Sequence, residues 1–272
     1  LYNIQLLPIY TSKLPVISVG GIEAGGSGKT PVVNFLLQSC FSSSSIIGLL
    51  TRGYGRISKE LIIKPSGQLP EVDSIGDEPA MLAQNHPELT IAAYPKRVES
   101  AKILQKNPDI KLLLMDDGFV HRALNRTVDI VVLNGEKPFG NGMMLPAGTL
   151  REPVSSLSRA DIIWIHYKQD RDSVTPKWLT KELNISKKSI VISRAQPGKI
   201  VDLTGSELSV KGKSVGGITG IAKPQSFYRD LQQKGAEVVL MKNFKDHHHY
   251  LQSDLNSVVQ TAKTNDIELI VT

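Results

Sequence analysis

The sequence predicts an α/β protein with a mainly parallel sheet and a second, smaller α/β domain. Three observations support this fold class: apolar runs of strand length alternate with helical patterns, a glycine-rich segment follows the first run, and two adjacent aspartates close a later one. Such alternation is typical of parallel strands joined by crossover helices. Because the pattern restarts near residue 200, we predict one domain over 1–199 and another over 200–272.

Strands and helices alternate through the first predicted domain. The strand "PVISVGG" precedes the helix "GKTPVVNFLLQSC", "SIIGLLTRG" precedes "GDEPAMLAQNH" with its acidic first turn, and "LTIAAY" precedes "RVESAKILQKN". Three more buried strands follow: "DIKLLLMDD", "VDIVVLN" and, after the irregular loop "GNGMMLPAGTLREP", "RADIIWIHY". The segment "KSIVISRAQPGKIVDLTGSE" contains Pro-Gly and many polar residues, so we predict a connector there.

The second predicted domain repeats the same alternation on a smaller scale. Strands are expected at "KSVGGITGIA", "AEVVLMKNF" and "IELIVT", and helices at "PQSFYRDLQQKG" and "LQSDLNSVVQTAKTND". Each strand–helix–strand unit of this length favours a parallel pair. A small βαβ domain is therefore the expected partner of the larger one.

Composition narrows the class of protein without identifying it. Charged residues make up 21% of the 272 residues and aromatics 6%, an ordinary globular balance. A net charge of +6 favours an anionic partner, but no aromatic-interleaved basic patch is visible, so no nucleic-acid partner is predicted. No apolar run approaches the ~18 residues of a membrane span. Cys40 is the single cysteine, which excludes a disulfide within the chain and a cysteine-based metal site.

The segment "GGIEAGGSGKTP" lies between the first strand and the first helix, where a P-loop belongs. Backbone N–H groups of such a loop bind phosphates, the lysine reaches the β- and γ-phosphates, and the hydroxyl holds Mg²⁺. The strict pattern would place glycine at position 23, which is Glu23 here. The sequence still predicts a P-loop NTPase-like domain whose nucleotide-binding residues are Gly25, Gly26, Ser27, Gly28, Lys29 and Thr30.

Two aspartates, Asp116 and Asp117, end a buried strand-like run. Carboxylates in an apolar setting are unfavourable unless a cation faces them. A P-loop enzyme places its Mg²⁺-binding carboxylate at the end of such a strand. We therefore predict a magnesium site formed by Thr30, Asp116 and Asp117, with the metal carried in by the nucleotide. A surface turn is the alternative.

Seven motifs in order resemble those of one enzyme family: "GGSGKTP", "LLTRGYGR", "GDEPAMLA", "KRVESA", "MDDGFVHR", "LPAGTLREP" and "FKDHHHY". The chain is similar to the tetraacyldisaccharide 4′-kinases, the lipid A 4′-kinases of Gram-negative bacteria. The resemblance implies transfer of the ATP γ-phosphate to the 4′-hydroxyl of a tetraacyl glucosamine disaccharide 1-phosphate, giving lipid IV-A. It implies ATP and Mg²⁺ as cofactors, a lipid A disaccharide precursor as partner, and peripheral binding at the cytoplasmic face of the inner membrane. We expect a monomer.

The resemblance also implies residue roles. Asp77 in "GDEP" and His247 in "DHHHY" match a catalytic aspartate and its histidine partner. A histidine beside a carboxylate is a common way to build a base near neutral pH. Because the two residues fall in different predicted domains, we expect domain closure to assemble the pair. Arg97 in "KRVE" matches an arginine near the substrate phosphates, and Arg52, Tyr54 and Arg151 are further candidates for substrate binding.

Other interpretations of these residues stay open on the sequence alone. Asp77 also suits the first turn of a helix, and His247 suits a solvated loop or an adventitious metal site. Arg97 and Arg151 also suit a charged surface, and Arg52 and Tyr54 could instead cap a helix. A P-loop ATPase switch and a degenerate kinase-like binding module are the competing functions. The family usually has a small polar residue in place of Glu23, so weaker ATP affinity is expected. The family's N-terminal hydrophobic, basic helix is reduced to "LYNIQLLPIYTSK", and a Thr-Glu-Lys-Asp segment after "IELIVT" is absent, so we expect a truncated chain with reduced membrane affinity and stability.

Overall fold

The computed structural model describes residues 7–41, 43–167, 189–221, 224–245, 248 and 250–272. These residues divide into two compact units, Leu1–Gln196 and Pro197–Thr272. The assignment of separate functions to 1–199 and 200–272 stays a prediction. No helix within the described ranges combines the length and apolar character needed to cross a bilayer.

The first unit is built on one eight-stranded sheet. Its strands are β1 Val16–Gly20, β2 Ile47–Thr51, β3 Ile62–Lys64, β4 Thr90–Ala93, β5 Leu112–Asp116, β6 Val128–Asn134, β7 Ile162–Tyr167 and β8 Ser189–Arg194. Their spatial order is β3-β4-β2-β5-β1-β6-β7-β8. Every pairing is parallel except that of β3 with β4. The predicted mainly parallel α/β fold is therefore confirmed.

Helices cover both faces of this sheet. They are α1 Lys29–Ser39, α2 Val72–Ile75, α3 Asp77–Asn85 and α4 Arg97–Leu104, with 3-10 turns at Ser44–Ile46 and Val154–Arg159. Leu114 of β5 packs with the buried residues of α1 and α3, whereas its neighbours Leu113 and Met115 pack with those of α4. Because both faces are covered, the central strands are continuous apolar runs without polar alternation.

One sequence prediction for the first unit is wrong. The connector predicted over 188–207 begins with β8, which pairs in parallel with β7 from Ser189 to Arg194. As an edge strand, β8 is exposed to intermediate in burial and carries serine and arginine among its apolar residues. This mixed composition concealed the strand. The short elements β3 and α2 were also not predicted.

The second unit contains a three-stranded parallel sheet of order β10-β9-β11. Its strands are β9 Ser214–Thr219, β10 Glu237–Asn243 and β11 Leu269–Val271, and its helices are α5 Pro224–Gln233 and α6 Gln252–Thr264. A small core forms around Val215 and Leu231. The elements follow the order predicted from the sequence.

Candidate active site

The candidate site lies at the carboxyl edge of the central strands in the first unit. β1 is flanked by β5 on one side and β6 on the other. Strands β2 to β5 all lie on one side of β1. The chain then crosses β1, and β6, β7 and β8 lie on the opposite side. Open α/β sheets bind ligands beyond the carboxyl ends of their strands at this kind of reversal point.

The phosphate loop follows β1 and ends at the first turn of α1. Gly28 precedes the helix with a φ of +92°, a left-handed conformation that glycine adopts without strain. A Cβ atom at this position would overlap the ring of His166, which lies at the end of β7. The position therefore requires glycine for both its backbone angle and its close approach to His166.

Three polar side chains lie at the junction of this loop with α1. Lys29 Nζ lies 3.3 Å from the carbonyl oxygen of Gly25 and 3.7 Å from Asp117 Oδ1. Ser27 Oγ is buried and has no hydrogen-bond partner within the described residues. Thr30, also buried, follows in the first turn of α1. A helix N-terminus with nearby lysine and hydroxyl groups is suited to bind an anion.

The paired aspartates differ in their surroundings. Asp116 is 4% exposed, and its Oδ1 atom has no partner within the described residues. Asp117 adopts a φ of +49°. Both of its carboxylate oxygens accept hydrogen bonds from Arg151, at 2.8 Å from Nη1 and 2.6 Å from Nη2. Asp117 is thus neutralised by protein cations, whereas Asp116 is a buried carboxylate with a free oxygen.

These surroundings shift the pKa values of the two carboxyl groups in opposite directions. Burial, together with the negative charges of Glu78 and Asp117, raises the pKa of Asp116 to about 7. Burial also disfavours the charged form of Asp117, but the Arg151 hydrogen bonds and the charge of Lys29 outweigh it and lower the pKa of that carboxyl. At Asp116 the charge of Lys29 acts to lower the pKa but does not outweigh burial, and Asp116 Oδ1 has no hydrogen-bond partner within the described residues, so this oxygen is open to a hard metal ion. The residues present therefore fit Mg²⁺, with Asp116 as the carboxylate best placed for it.

Two of the predicted substrate-binding arginines are parts of this charged cluster. Arg97 opens α4, is 5% exposed and donates from Nη1 to the carbonyl of Pro95 at 2.9 Å. Burial lowers its pKa, and the charges of Asp117 and Asp116 oppose that effect. Arg151 also donates from Nη2 to the carbonyl of Gly21 at 3.2 Å. The alternative that these two residues are free surface charges is wrong.

The loop that follows β2 places the remaining predicted residues. Arg52 is exposed, and its charge acts on Arg97. Tyr54 is 74% exposed. A backbone hydrogen bond of 2.9 Å from Ile57 to Asp73 ties this loop to α2. Asp77 is the exposed first residue of α3, which follows directly.

The predicted histidine partner cannot be compared with these residues, because His247 lies outside the described residues. In the second unit, His248 Nε2 lies 2.9 Å from Asp254 Oδ2, and its ring stacks on Phe244 at 4.6 Å. The pairing of Asp77 with His247 stays a prediction.

Three residues of the site were not predicted from the sequence. Thr149 donates from its hydroxyl to Glu23 Oε1 at 3.2 Å, although it lies far along the chain. Burial raises the pKa of Glu23 against the Thr149 hydrogen bond and the charges of Lys29 and Lys137. His166 lies so close to Gly28 that a Cβ atom there would overlap its ring, and the negative charge of Glu78 contributes to the raised pKa of Asp116. No local pattern marks these residues, because each contact joins separate elements.

Comparison with known proteins identifies the family. The model of the tetraacyldisaccharide-1-P 4′-kinase family (LpxK) matches residues 1–272. The chain belongs to this family. The predicted family and enzyme class, a lipid A 4′-kinase, are thereby confirmed.

Curated members of the 4′-kinase family align along almost the whole chain. A tetraacyldisaccharide 4′-kinase from Anaeromyxobacter dehalogenans (strain 2CP-C) is 34% identical over 282 residues, covering 100% of this chain and 74% of the relative. One from Chlorobium limicola is 32% identical over 275 residues, covering 98% and 78%. The crystal structure of the "apo" form of LpxK from Aquifex aeolicus in complex with ATP is 26% identical, with a TM-score of 0.76, and the match covers 92% of this chain and 77% of that one.

In this 4′-kinase, we expect Arg151→Lys to lower kcat/KM by about 10²-fold, because a lysine cannot make the paired hydrogen bonds of a guanidinium. The variant would leave one oxygen of Asp117 and the carbonyl of Gly21 without their donor. Steady-state kinetics would measure the loss. Arg159→Lys is the matched control. Arg159 ends the 3-10 turn Val154–Arg159 and forms an ion pair with Glu152 instead of Asp117. Equal losses in the two variants would contradict a specific role for Arg151.

Proposed function

We propose that this chain transfers the γ-phosphate of ATP to the 4′-hydroxyl of a tetraacyl glucosamine disaccharide 1-phosphate, giving lipid IV-A. The observation that carries the proposal is the phosphate loop with Lys29 next to the Asp116–Asp117 pair, in a chain that belongs to the 4′-kinase family. In the reaction the sugar hydroxyl loses its proton, a new O–P bond forms, and the bond between the γ-phosphorus and ADP breaks.

The phosphate loop binds the nucleotide. Backbone N–H groups from Gly25 to Thr30 surround the phosphates, and Lys29 exchanges its contact with Asp117 for one with the phosphates. Mg²⁺ neutralises charge on the β- and γ-phosphates when it is bound. Asp116 and the hydroxyl of Thr30 are the groups that would hold it. Asp117, paired with Arg151, orients the lysine and the metal-binding aspartate.

The arginines and Tyr54 receive the acceptor. Arg97 carries a buried positive charge beside the aspartates, where it stabilises the charge of the transferring phosphoryl group. Arg52 and Tyr54, exposed on the loop after β2, are placed to contact the lipid headgroup. Arg151 contributes a further positive charge while it holds Asp117.

Asp77 and His247 act as the proton-accepting pair, as the family resemblance implies. A sugar hydroxyl is a weak nucleophile, and a positioned base contributes typically about 10²–10⁴-fold. We expect Asp77→Asn and His247→Ala each to lower kcat by about 10²-fold with little change in the KM for ATP. A double variant that loses no more than either single one would support a shared role, because residues that act as a unit are not additive. Wild-type kcat in either single variant would contradict the assignment.

The chain acts as a peripheral protein at the cytoplasmic face of the inner membrane and functions as a monomer. The acceptor carries four acyl chains, so its headgroup is presented at a lipid surface. A net charge of +6 favours an anionic surface.

The deciding experiment is phosphate transfer from γ-labelled ATP to the tetraacyl disaccharide 1-phosphate in detergent micelles with Mg²⁺. Labelled lipid that requires both the acceptor and Mg²⁺ would support the proposal. ATP hydrolysis without labelled lipid would favour a switch ATPase. Nucleotide binding without turnover would favour a kinase-like binding module.

A further inference from the structure

The segment between Lys137 and Arg151 contains no charged residue. At its tip, three consecutive large apolar side chains are exposed: 51% for Met143, 45% for Met144 and 54% for Leu145. Single exposed apolar residues are ordinary on a protein surface, but a contiguous group marks an interaction site. We call residues 138–150 the apolar loop.

The backbone of the apolar loop is hydrogen-bonded within itself. Leu145 N donates to the carbonyl of Leu150 at 2.8 Å, and Leu150 N donates to that of Met143 at 3.1 Å. The side chain of Asn141 accepts from Met143 N at 3.1 Å and donates to the carbonyl of Ala147 at 3.0 Å. A Cβ atom on Gly148 would overlap the Met143 carbonyl. The backbone of the loop is thus paired within itself and with Asn141, Leu150 is buried at the base, and Met143, Met144 and Leu145 are exposed at the tip.

This construction suits an apolar environment. Polar backbone groups that enter a lipid phase unpaired carry a large free-energy penalty, and internal hydrogen bonds avoid it. Methionine and leucine at the tip have no polar group to desolvate beyond a thioether. Lys137, at the base of the loop, is exposed. An apolar tip with a cation at its base matches the layering of acyl chains beneath anionic headgroups.

The base of the apolar loop is joined to the phosphate loop. Ala24 N donates to the carbonyl of Thr149 at 2.7 Å, and Arg151 N donates to that of Ile22 at 2.6 Å. Between them, Glu23 pairs with Leu150 in an antiparallel bridge. The exposed tip therefore belongs to a loop whose base is paired directly with the phosphate loop.

We propose that Met143, Met144 and Leu145 insert among the acyl chains of bilayer lipids and hold the phosphate loop at the membrane surface. This inference rests on the proposed function, because a kinase of a membrane lipid meets its acceptor at a bilayer. The partner of the exposed tip is therefore the lipid bilayer itself. The alternative is that the tip contacts the acyl chains of the acceptor, which are chemically similar.

An environment-sensitive fluorophore on a single cysteine tests the insertion in the full chain. Cys40 is the only cysteine and is exposed. It follows α1 at the end opposite the phosphate loop, about 16 Å away along the helix. One protein carries the label on Met144→Cys in a Cys40→Ser background, and the matched control carries it on the native Cys40. Both are mixed with phosphatidylethanolamine–phosphatidylglycerol vesicles that lack the acceptor, with brominated lipid as quencher.

A blue shift and quenching of the label at position 144, with an unchanged label at Cys40, would support insertion. No change at position 144 while the protein sediments with the vesicles would overturn it, as would equal changes at both positions. A change that requires added acceptor would overturn it in favour of contact with the acceptor's own chains.

A second measurement replaces the apolar side chains at the tip of the loop and compares binding to vesicles. The triple change Met143→Ser, Met144→Ser and Leu145→Ser is expected to weaken vesicle partitioning by about tenfold or more. The control triple Leu203→Ser, Leu255→Ser and Val259→Ser, at exposed positions of the second unit, is expected to have less than a twofold effect. Equal partitioning of the two triples would overturn the proposal.

Lipid phosphorylation by the wild-type chain in micelles reports the proposed function separately. A chain that labels no lipid would overturn the proposed function. An unshifted probe on a chain that does label lipid would overturn only the role of the apolar loop.

Discussion

The variant Lys29→Ala is expected to lower kcat/KM by about 10³-fold or more, because it removes the cation proposed to bind the β- and γ-phosphates. The ammonium group already lies at the mouth of the loop, 3.3 Å from the Gly25 carbonyl and 3.7 Å from Asp117. No other side chain in the described part of the phosphate loop carries a positive charge. Initial rates of lipid labelling at several ATP concentrations would measure the loss.

A surface lysine provides the matched control for Lys29. Lys102 on α4 makes an exposed ion pair with Glu99 at 3.3 Å. Such pairs contribute little, so Lys102→Ala should keep activity within about twofold of the wild type. If Lys29→Ala kept activity within tenfold, the phosphate loop would not be the nucleotide site.

The variant Asp116→Asn is expected to lower kcat/KM by about 10³-fold and, at the same time, to stabilise the metal-free protein at pH 8. We expect the activity to fall because asparagine lacks the charge with which Asp116 is proposed to hold Mg²⁺. The stability rises because a buried carboxylate with an unpaired Oδ1 must ionise in the folded wild-type protein. We expect a gain of about 1–3 kcal/mol in the free energy of unfolding.

The pH dependence follows from the direction of the shift. The folded protein binds the Asp116 proton more tightly than the unfolded chain, since the folded pKa is about 7 and the ordinary value is 3.8. The contribution to wild-type stability is therefore fully present below about pH 4 and is lost as the pH rises to about 7. The advantage of Asp116→Asn should appear across that window and persist above it. Chemical unfolding of the metal-free protein at pH 4.5 and pH 8 would measure it.

Asp129→Asn is a control for which we expect the opposite change in stability. It is 7% exposed, and Arg126 binds both of its oxygens, with Nη2 2.9 Å from Oδ2. Removing one partner of a buried ion pair leaves the other charge unpaired. Asp129→Asn should therefore destabilise the protein at pH 8. Destabilisation by both variants would show that Asp116 is already compensated in the absence of metal.

Local patterns in the sequence were sufficient for most of the fold. Central strands such as β2 and β5 are continuous apolar runs because both sheet faces are buried, and such runs are visible without a structure. The edge strand β8 was missed because one side of it is more exposed and its composition is mixed. The short strand β3 pairs only with β4, and its three residues are too few to show a period.

Some features of the candidate site were also visible in local sequence patterns, and others only in the structure. Lys29, Thr30 and the two aspartates were predicted because each lies at a fixed offset from a glycine-rich turn or a strand end. The fork of Arg151 on Asp117 joins residues 34 apart in sequence, and no local pattern specifies it. The burial of Arg97 was likewise not predictable from the sequence, since the groups around it, such as Asp117 and Arg151, are distant in the chain.

The sequence by itself determined the family, the mainly parallel sheet and the position of the phosphate loop, because these follow from residue types at short, fixed spacings. Only the tertiary structure decided that Asp116 has an oxygen without a hydrogen-bond partner in the described residues and that Asp117 is paired with Arg151. Only the tertiary structure joined the apolar loop to the phosphate loop through Glu23 and Thr149. Ion pairing and loop contacts depend on which distant segments of the chain come together, and this is determined by the packing of the sheet and its connecting loops.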